Sequence, residues 1–153
     1  LEVARAAEKG ASLKECEQLA YDLYPRIGVY FTVDSLEYLH RGGRINSAKR
    51  LLGSALDLKP IMAIQDGKIE LVESVRSQKK ALNRMIELVE KDIAGRTPIR
   101  LAPFHALAFD SMLSMEEKAV ERLKPIEVIR SEVSPVIGSH VGPGTVAIAY
   151  LFG

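Results

Sequence analysis

The chain has 153 residues, of which 47% are hydrophobic and 27% are charged, and its formal net charge is +1. These values are typical of an ordinary globular domain, and the small net charge argues against a general nucleic-acid binder, which needs a strong excess of Lys and Arg. No apolar run approaches the roughly 20 residues that span a bilayer. The lone Cys16 excludes an internal disulfide and indicates a reducing compartment, which we expect to be the cytoplasm.

Two helices are predicted at the start of the chain. The first covers residues 2–9, and the second opens with Ser12-Leu13-Lys14-Glu15, a capping box in which the Ser and Glu side chains satisfy early amide groups. Pro25 ends the second helix. Because the chain begins in the middle of a helical pattern, we expect residues 1–25 to be a helical lead-in to an N-terminal domain that is absent here, and residues 26–153 to form a second domain.

Strands and helices alternate along the rest of the chain. Apolar, β-branched runs predict strands over residues 27–33, 58–65, 68–75, 99–106, 126–133, 136–137 and 146–152. Apolar residues at helical spacing predict helices over residues 35–41, capped by Asp34, and over 47–56, 77–94 and 114–123, the last with a capping box at Ser114. The fold class is therefore α/β, a layered domain with a mixed β-sheet flanked by helices.

Two local features refine this scheme. Asp66-Gly67 is the strongest two-residue hairpin signal and joins the strands 58–65 and 68–75, the second of which places Ile69 and Leu71, and Glu73 if the alternation continues, on one face. Pro103 lacks a backbone N–H, so the strand 99–106 is expected at a sheet edge or at a bulge.

The stretch Gly138-Ser139-His140-Val141-Gly142-Pro143-Gly144 lies between two apolar runs. Its glycines and proline predict a loop at a strand end that presents an imidazole and backbone N–H groups to an anion. A tight turn in which His140 is hydrogen-bonded to its own scaffold fits the local pattern equally well. His105 ends an apolar strand and is more typical of a hydrogen-bonded core histidine.

A basic cluster precedes the predicted helix 47–56. Arg41 and Arg44 flank Gly42-Gly43, and Asn46 is the predicted N-cap, so that Arg44 lies where the free N–H groups of a helix favour anions. Surface charge on a helix–turn–helix is the alternative. The aliphatic runs 51–58 and 61–64 fit either a cavity for an amphiphile with one acidic head or plain core. The sequence contains no phosphate-binding GxxxxGK[ST] loop and no GxSxG motif.

Three ordered blocks carry a resemblance to a known family. They are SLEYLHRGGRI at 35–45; LKPIM at 58–62 with DGK at 66–68, VR at 75–76 and KKAL at 79–82; and PVIGSHVGPG at 135–144. Together they resemble the DegV family of bacterial lipid-binding proteins, over nearly the whole chain from about residue 12 onward. The resemblance maps residues 26–153 onto the C-terminal domain of a two-domain fatty-acid carrier, whose N-terminal domain supplies further contacts to the carboxylate.

The resemblance implies a ligand, a partner and a set of site residues. A long-chain fatty acid would place its tail in an apolar cavity and its carboxylate near His140, and a separate fatty-acid kinase would phosphorylate that carboxylate. The expected lipid-binding residues are His140, Gly138, Ser139, Leu52, Ala55, Ile61 and Ile64. The residues expected to bind the phosphorylated head group or the kinase are Arg41, Arg44 and Arg76. The carrier itself would be no enzyme and would need no cofactor or metal.

Other functions and a consequence of the missing domain also follow from the sequence. His140 could instead serve a small hydrolase or phosphotransferase, although no second catalytic group stands out, or the edge with Arg41 and Arg44 could dock a protein partner in a regulatory domain. Pro103 departs from the unbroken aliphatic strand of the family, so tail-length preference does not carry over. Residues 1–153 alone are expected to bind lipid weakly or not at all, and to self-associate through an exposed apolar face.

Overall fold

The computed structural model describes residues 1–45, 48 and 58–153. The helices in this part of the chain are α1 (Glu2–Glu8), α2 (Leu13–Leu23), α3 (Glu37–Arg41), α4 (Gln78–Ile93), α5 (Phe109–Leu123) and α6 (Pro135–Val141), with a short 3₁₀ turn at Tyr24–Arg26. The strands are β1 (Ile27–Thr32), β2 (Lys59–Gln65), β3 (Lys68–Val75), β4 (Ile99–Ala106), β5 (Glu127–Val128), β6 (Ser131–Glu132) and β7 (Thr145–Phe152). The predicted α/β class with a mixed sheet is confirmed.

The seven strands form one sheet. Six of them lie in the order β3-β2-β1-β7-β4-β5, and β6 pairs with β4 at a point further along that strand than β5 does. All neighbours are antiparallel except β5 and β6, which run parallel to β4. Strands β1, β3 and β4 therefore point one way, and β2 and β7 point the other. As a result, the ends of β1, β3 and β4 and the starts of β2 and β7 lie at the same edge, which we call the site end.

One face of the sheet, the helix face, is covered by α4 and α5. Large side chains fill the space between them, including the fully buried Ile61, Met85, Met115 and Ile148. Helix α4 begins at the N-cap Ser77, whose hydroxyl accepts from the Lys80 N–H, and its predicted inner residues are all buried. These are Leu82, Met85, Ile86, Val89 and Ile93.

The opposite face, the open face, is covered at its two ends by separate pairs of helices. At the site end, α3 and α6 pack over a second cluster that includes Phe31, Leu39 and Val141. At the far end, α1 and α2 lie over the sheet, where Arg5 of α1 forms an ion pair with Glu127. The predicted capping box opens α2, since the Ser12 side chain and Glu15 each accept from the other's backbone N–H.

The hairpin at Asp66-Gly67 is confirmed, and both residues take left-handed φ values, of 48° and 72°. A bulge interrupts β2–β3 pairing, because Met62 pairs with Leu71 whereas the adjacent Ile61 pairs with Glu73. Ile69 and Leu71 therefore share one face, as predicted, which is the open face, while Glu73 turns to the helix face. There its carboxylate accepts from the Arg84 side chain of α4 at 2.5 Å.

The third predicted block folds differently from expectation. The run Val136-Ile137 is not a strand but part of α6, so His140 lies on the last turn of a helix rather than in a glycine loop. Ser134 caps this helix, accepting from the Ile137 N–H at 3.4 Å, and Pro135 occupies its first turn, where its fixed φ suits a helix and no N–H is needed. A two-residue apolar run is too short to outweigh these start signals.

The strand β4 is interior, so the prediction of an edge or a bulge at Pro103 is wrong. Its register with β7 is continuous from Ile99 to Ala106. On the other side of β4, the carbonyls of Ile99, Leu101 and His105 accept hydrogen bonds from backbone N–H groups of the segment 126–133. The backbone of Pro103 points toward the same segment. Because proline has no N–H to offer there, the parallel partner breaks, and the single predicted strand 126–133 becomes the short strands β5 and β6.

Two predicted helix starts are also corrected. Helix α5 begins at Phe109 with Ala108 as a cap that makes no side-chain hydrogen bond, so the pattern at Ser114 is internal and not a capping box. Its Glu116 is buried and accepts twice from the Arg130 guanidinium at 2.6 Å. Asp34 does not cap α3, which starts after Leu36; its carboxylate forms an ion pair with Lys59 at 2.8 Å.

Candidate functional site

The site end collects residues from all three sequence blocks that carry the resemblance. Helix α3 of the first block follows β1, Arg76 of the second block follows β3, and α6 of the third block precedes β7. All of these strand ends lie at the same edge of the sheet. Helices α3 and α6 pack against each other there, which brings the Arg-Gly-Gly-Arg turn next to His140.

The ring of His140 lies against the backbone of Gly42. A Cβ built on Gly42 would stand 2.3 Å from Nδ1 and 3.2 Å from Cε1 of the imidazole, so only glycine leaves room for the ring. Nδ1 is buried and has no hydrogen-bond partner among the described residues. The residue as a whole is half-buried. The imidazole is thus walled in on the Nδ1 side by α3.

A second contact between an aromatic ring and a glycine joins the same two helices, but here the ring belongs to α3 and the glycine follows α6. A Cβ on Gly142, just after α6, would lie 2.3 Å from Cδ2 of Tyr38 in α3. Gly142 also has φ of 78°, a left-handed conformation that side chains disfavour. Each helix therefore supplies one ring and one glycine, and the pair of contacts fixes how α3 and α6 approach each other.

Hydrogen bonds hold both ends of α6 in place. Ser134 caps its start, and at its end the buried Thr145 hydroxyl can donate to the carbonyl of Val141 at 3.0 Å or of Gly142 at 2.9 Å. The Ser139 hydroxyl donates to the Val136 carbonyl at 2.7 Å. Because Ser139 is bonded within its own helix and not to His140, the two residues do not form the nucleophile–base pair that a hydrolase needs.

The predicted basic residues are on the surface. Arg41 is 74% exposed and forms an ion pair with Glu37 one turn earlier at 2.5 Å. Arg44 and Arg76 are exposed too, and the Arg44 backbone N–H donates to the Leu39 carbonyl at 2.8 Å. Exposed guanidinium groups remain accessible to an anionic ligand or to an acidic partner surface.

Among the described residues, two concave regions lie on or beside the open face. The larger, which we call the groove, measures about 540 Å³ and runs between the sheet and α1–α2. Its walls are mostly apolar and include Val3, Leu23, Ile27, Ala102, Ala149 and Leu151. The smaller measures about 370 Å³ and lies beside α6, where it is bounded by His105, Glu132, Pro135, Gly138, Gly142 and Pro143.

The predicted tail contacts have different surroundings. Leu52 and Ala55 lie outside the described residues, as do the predicted cap Asn46 and all of the predicted helix 47–56 except Ala48. Ile61 is fully buried on the helix face, so the sheet separates it from His140. Ile64 is 51% exposed, and it pairs with Ile69, which packs with the open-face cluster.

His105 is a buried core histidine, as the sequence predicted, at 4% exposure. Its Nδ1 accepts from the Ala108 N–H at 3.2 Å, which leaves Nε2 to carry the proton of the neutral ring. Nε2 lies 3.7 Å from the Glu132 carboxylate. In the described part of the chain, no group of three or more His, Cys, Asp or Glu side chains could hold a metal ion, and no helix there is long and apolar enough to cross a membrane.

Sequence reasoning missed two parts of this region. The first is the contact of Gly42 and Gly142 with the rings of His140 and Tyr38, which depends on how α3 and α6 meet and has no local signature. The second is the small floor of the groove at Ala102 and Ala149, which pair across β4 and β7. The sequence does indicate this floor, because Ala147 and Ala149 alternate with larger residues along β7.

Known proteins resemble the chain over nearly its whole length. A family model described as "Uncharacterised protein, DegV family" matches residues 1–153. A DegV domain-containing protein of Streptomyces coelicolor is 38% identical over 149 residues, which are 97% of this chain and 53% of that protein.

Two solved structures share the fold. A DegV family protein from Thermus thermophilus, described for its fatty acid binding, superposes with a TM-score of 0.92 at 30% identity over 99% of this chain and 55% of its own. DegV from Bacillus subtilis, described as a fatty acid binding protein, gives a TM-score of 0.83 at 31% identity, over 99% and 54%. The chain thus spans about half the length of these relatives.

Proposed function

The chain belongs to the DegV family, and on that premise we propose that it is part of a carrier that binds one long-chain fatty acid. The observation that supports this most is its likeness, over 99% of its length, to two DegV proteins described as binding fatty acids. Because the chain covers only about half of those proteins, the proposal concerns a site to which a second domain contributes. The chain's own geometry supports a division of the ligand into a tail and a head.

The tail is assigned to the open face. The groove of about 540 Å³ lies within the 300–1,000 Å³ that ligand pockets usually measure, and its alanine floor leaves the sheet accessible where the helix face is filled. Ile64, half-exposed on the same face, is the described residue among the predicted tail contacts that fits this placement best. Burial contributes roughly 0.8 kcal/mol per CH₂, so a 16-carbon tail gives on the order of 10 kcal/mol before ordering costs.

The head is assigned to the site end, at His140. A carboxylate beside apolar surface needs hydrogen bonds from charged or polar donors to offset its desolvation. Within this chain we assign this donor role to His140 on α6, the residue that the family resemblance predicts. The remaining donors would come from the second domain, so we expect residues 1–153 alone to bind the fatty acid weakly or not at all.

The exposed arginines suit a later step in which the head group is modified by a partner. Three exposed arginines lie in segments that adjoin strands at the site end: Arg41 and Arg44 between β1 and β2, and Arg76 directly after β3. A fatty-acid kinase would add negative charge to the carboxylate, and bidentate guanidinium groups are the side chains best suited to recognise phosphate. The carrier then supplies binding and presentation, and the kinase supplies the nucleotide.

Native mass spectrometry of the full-length protein, purified from a bacterial host, tests the lipid. We expect one fatty acid per chain, and its loss or marked reduction in His140→Ala. Ala149→Leu should shift the bound population to shorter acyl chains because the added side chain fills the floor of the groove. Ala7→Leu makes the same change at an exposed position of α1 and should leave the population unchanged. A lipid-free wild-type protein, after extraction as well as in the native spectrum, contradicts the proposal.

Charge reversal tests the partner surface separately. Arg44→Glu should weaken capture of a fatty-acid kinase and slow acyl phosphate formation by tenfold or more, while the amount of bound fatty acid stays at the wild-type level. Lys68→Glu, at an exposed position at the far end of the hairpin, is the matched control. If Arg44→Glu leaves phosphorylation unchanged, or if lipid content falls with it, this part of the proposal is wrong.

A further inference from the structure

The two glycines of the Arg-Gly-Gly-Arg turn are glycines for different reasons. Gly43 has φ of +66° and open space around its Cα, so its backbone conformation favours glycine. Gly42 has φ of −77° and ψ of 0°, a conformation with negative φ that does not require glycine. The backbone therefore does not require glycine at position 42.

The neighbour of Gly42 supplies the requirement instead. A Cβ there would stand 2.3 Å from Nδ1 of His140, closer than any real contact of that kind. The hydrogen that a side chain would replace points at Nδ1, and no described residue offers Nδ1 a hydrogen bond. A proton on Nδ1 would thus be a buried donor without an acceptor, which is costly, whereas an unprotonated Nδ1 only meets a weak C–H contact.

We propose that Gly42 is a positioning residue for His140, which it holds in the tautomer that carries its proton on Nε2 and turns that N–H toward the ligand. The inference rests on the proposed function for the identity of the ligand, a carboxylate, but the state of the ring is a property of the chain alone. Neutral imidazole has one donor and one acceptor, so sealing Nδ1 against Gly42 decides which nitrogen remains to donate. The Tyr38–Gly142 contact fixes the same pair of helices and keeps the ring from swinging away.

The tautomer can be measured without any ligand. Long-range ¹H–¹⁵N spectra of the imidazoles in residues 1–153, recorded at alkaline pH, distinguish a protonated Nε2 from a protonated Nδ1. His105 provides an internal reference, because its Nδ1 accepts from the Ala108 N–H and its ring must be protonated at Nε2. We expect His140, assigned by its disappearance in His140→Ala, to show the same pattern. A pattern with Nδ1 protonated overturns the inference.

Binding measurements on the full-length protein test the consequence. Gly42→Ala should weaken fatty-acid binding by about tenfold or more, the loss of one hydrogen bond to a charged group, and should change the His140 imidazole spectrum. In the His140→Ala background the same substitution should cause no further loss, since the ring it collides with is gone. Gly43→Ala strains the same turn without approaching the ring and should retain both the affinity and the spectrum.

The outcomes separate this inference from the proposed function. If no variant and not even the wild type binds a fatty acid, the proposed ligand is wrong, and the imidazole spectrum of the wild type still decides the role of Gly42. If Gly42→Ala does not fold but the double variant with His140→Ala does, the collision is confirmed. If Gly42→Ala binds as tightly as the wild type with an unchanged spectrum, Gly42 does not position the ring.

Discussion

Removing the Asp92 carboxylate should destabilise the domain strongly, because two buried tyrosines depend on it. Tyr30 of β1 and Tyr150 of β7 are 8% and 6% exposed. Both hydroxyls donate to the same oxygen of Asp92, on the last turn of α4, at 2.7 Å for Tyr30 and at short range for Tyr150. This cluster fastens α4 to the two central strands on which the site end is built.

The size of the effect follows from the groups that lose their partner. A buried donor left unsatisfied costs about 1–3 kcal/mol, so Asp92→Ala should lower the free energy of unfolding by roughly 2–6 kcal/mol. The triple variant with Tyr30→Phe and Tyr150→Phe should regain most of this loss, because no buried hydroxyl then lacks an acceptor. Glu121→Ala removes an exposed carboxylate from α5 and should change stability by less than about 0.5 kcal/mol.

Urea unfolding followed by far-UV circular dichroism measures these differences, provided that the slope with denaturant is unchanged among the variants. A loss below about 1 kcal/mol in Asp92→Ala would mean that the phenols find other partners. A triple variant no more stable than the single one would mean that the carboxylate acts through something other than the two hydroxyls. Either result refutes the reasoning.

Three further outcomes are expected. Burial, with the hydrogen bonds to Asp92 as the second cause, raises the pKa of Tyr30 and Tyr150. The stability that the two phenols contribute is therefore complete below the unfolded pKa of about 10 and is lost as the pH rises above it. Alkaline titration of the free energy of unfolding should show a decline that Tyr30→Phe reduces, and an equal decline in that variant contradicts the prediction. Thr145→Val should lower the free energy of unfolding by about 1 kcal/mol, since the buried hydroxyl donates to carbonyls at the end of α6; no change in chemical denaturation would contradict this. Residues 1–153 should self-associate in light scattering through apolar side chains that include Leu107 and Val136, which are 89% and 70% exposed, and replacing both with Ser should lower the apparent mass; an unchanged mass places the contact elsewhere.

Elements with a local signal could be predicted from the sequence, to within a few residues. The Asp66-Gly67 turn demands left-handed φ values that few dipeptides adopt, and it predicted the hairpin between β2 and β3 correctly. The helix α4 was predicted because Ser77 caps it and an apolar stripe runs its whole length. In both cases the determining residues are neighbours along the chain, so no knowledge of the tertiary fold was needed.

Elements decided by distant contacts could not be predicted in the same way. The match to a capping box at Ser114 and Glu117 misled because α5 already begins at Phe109, so both residues lie inside the helix. The glycine-rich third block was interpreted as a loop, although Ser134 and Pro135 in sequence are a readable helix start. The contact of Gly42 with His140 joins residues 98 positions apart and became visible only when α3 and α6 were placed together.

The groove illustrates a signal that was present but concealed. Residues 146–152 form one apolar run, typical of a strand buried on both faces, and on hydrophobicity alone it carries no sidedness. Size tells the faces apart: Val146, Ile148 and Tyr150 point to the filled helix face, whereas Ala147 and Ala149 point to the open face. Ala147 is fully buried in the open-face cluster beneath α3 and α6, whereas Ala149 pairs with Ala102 and lines the groove. Ala149 therefore leaves room for a guest on the open face, while the opposite face of β7 completes a packed core.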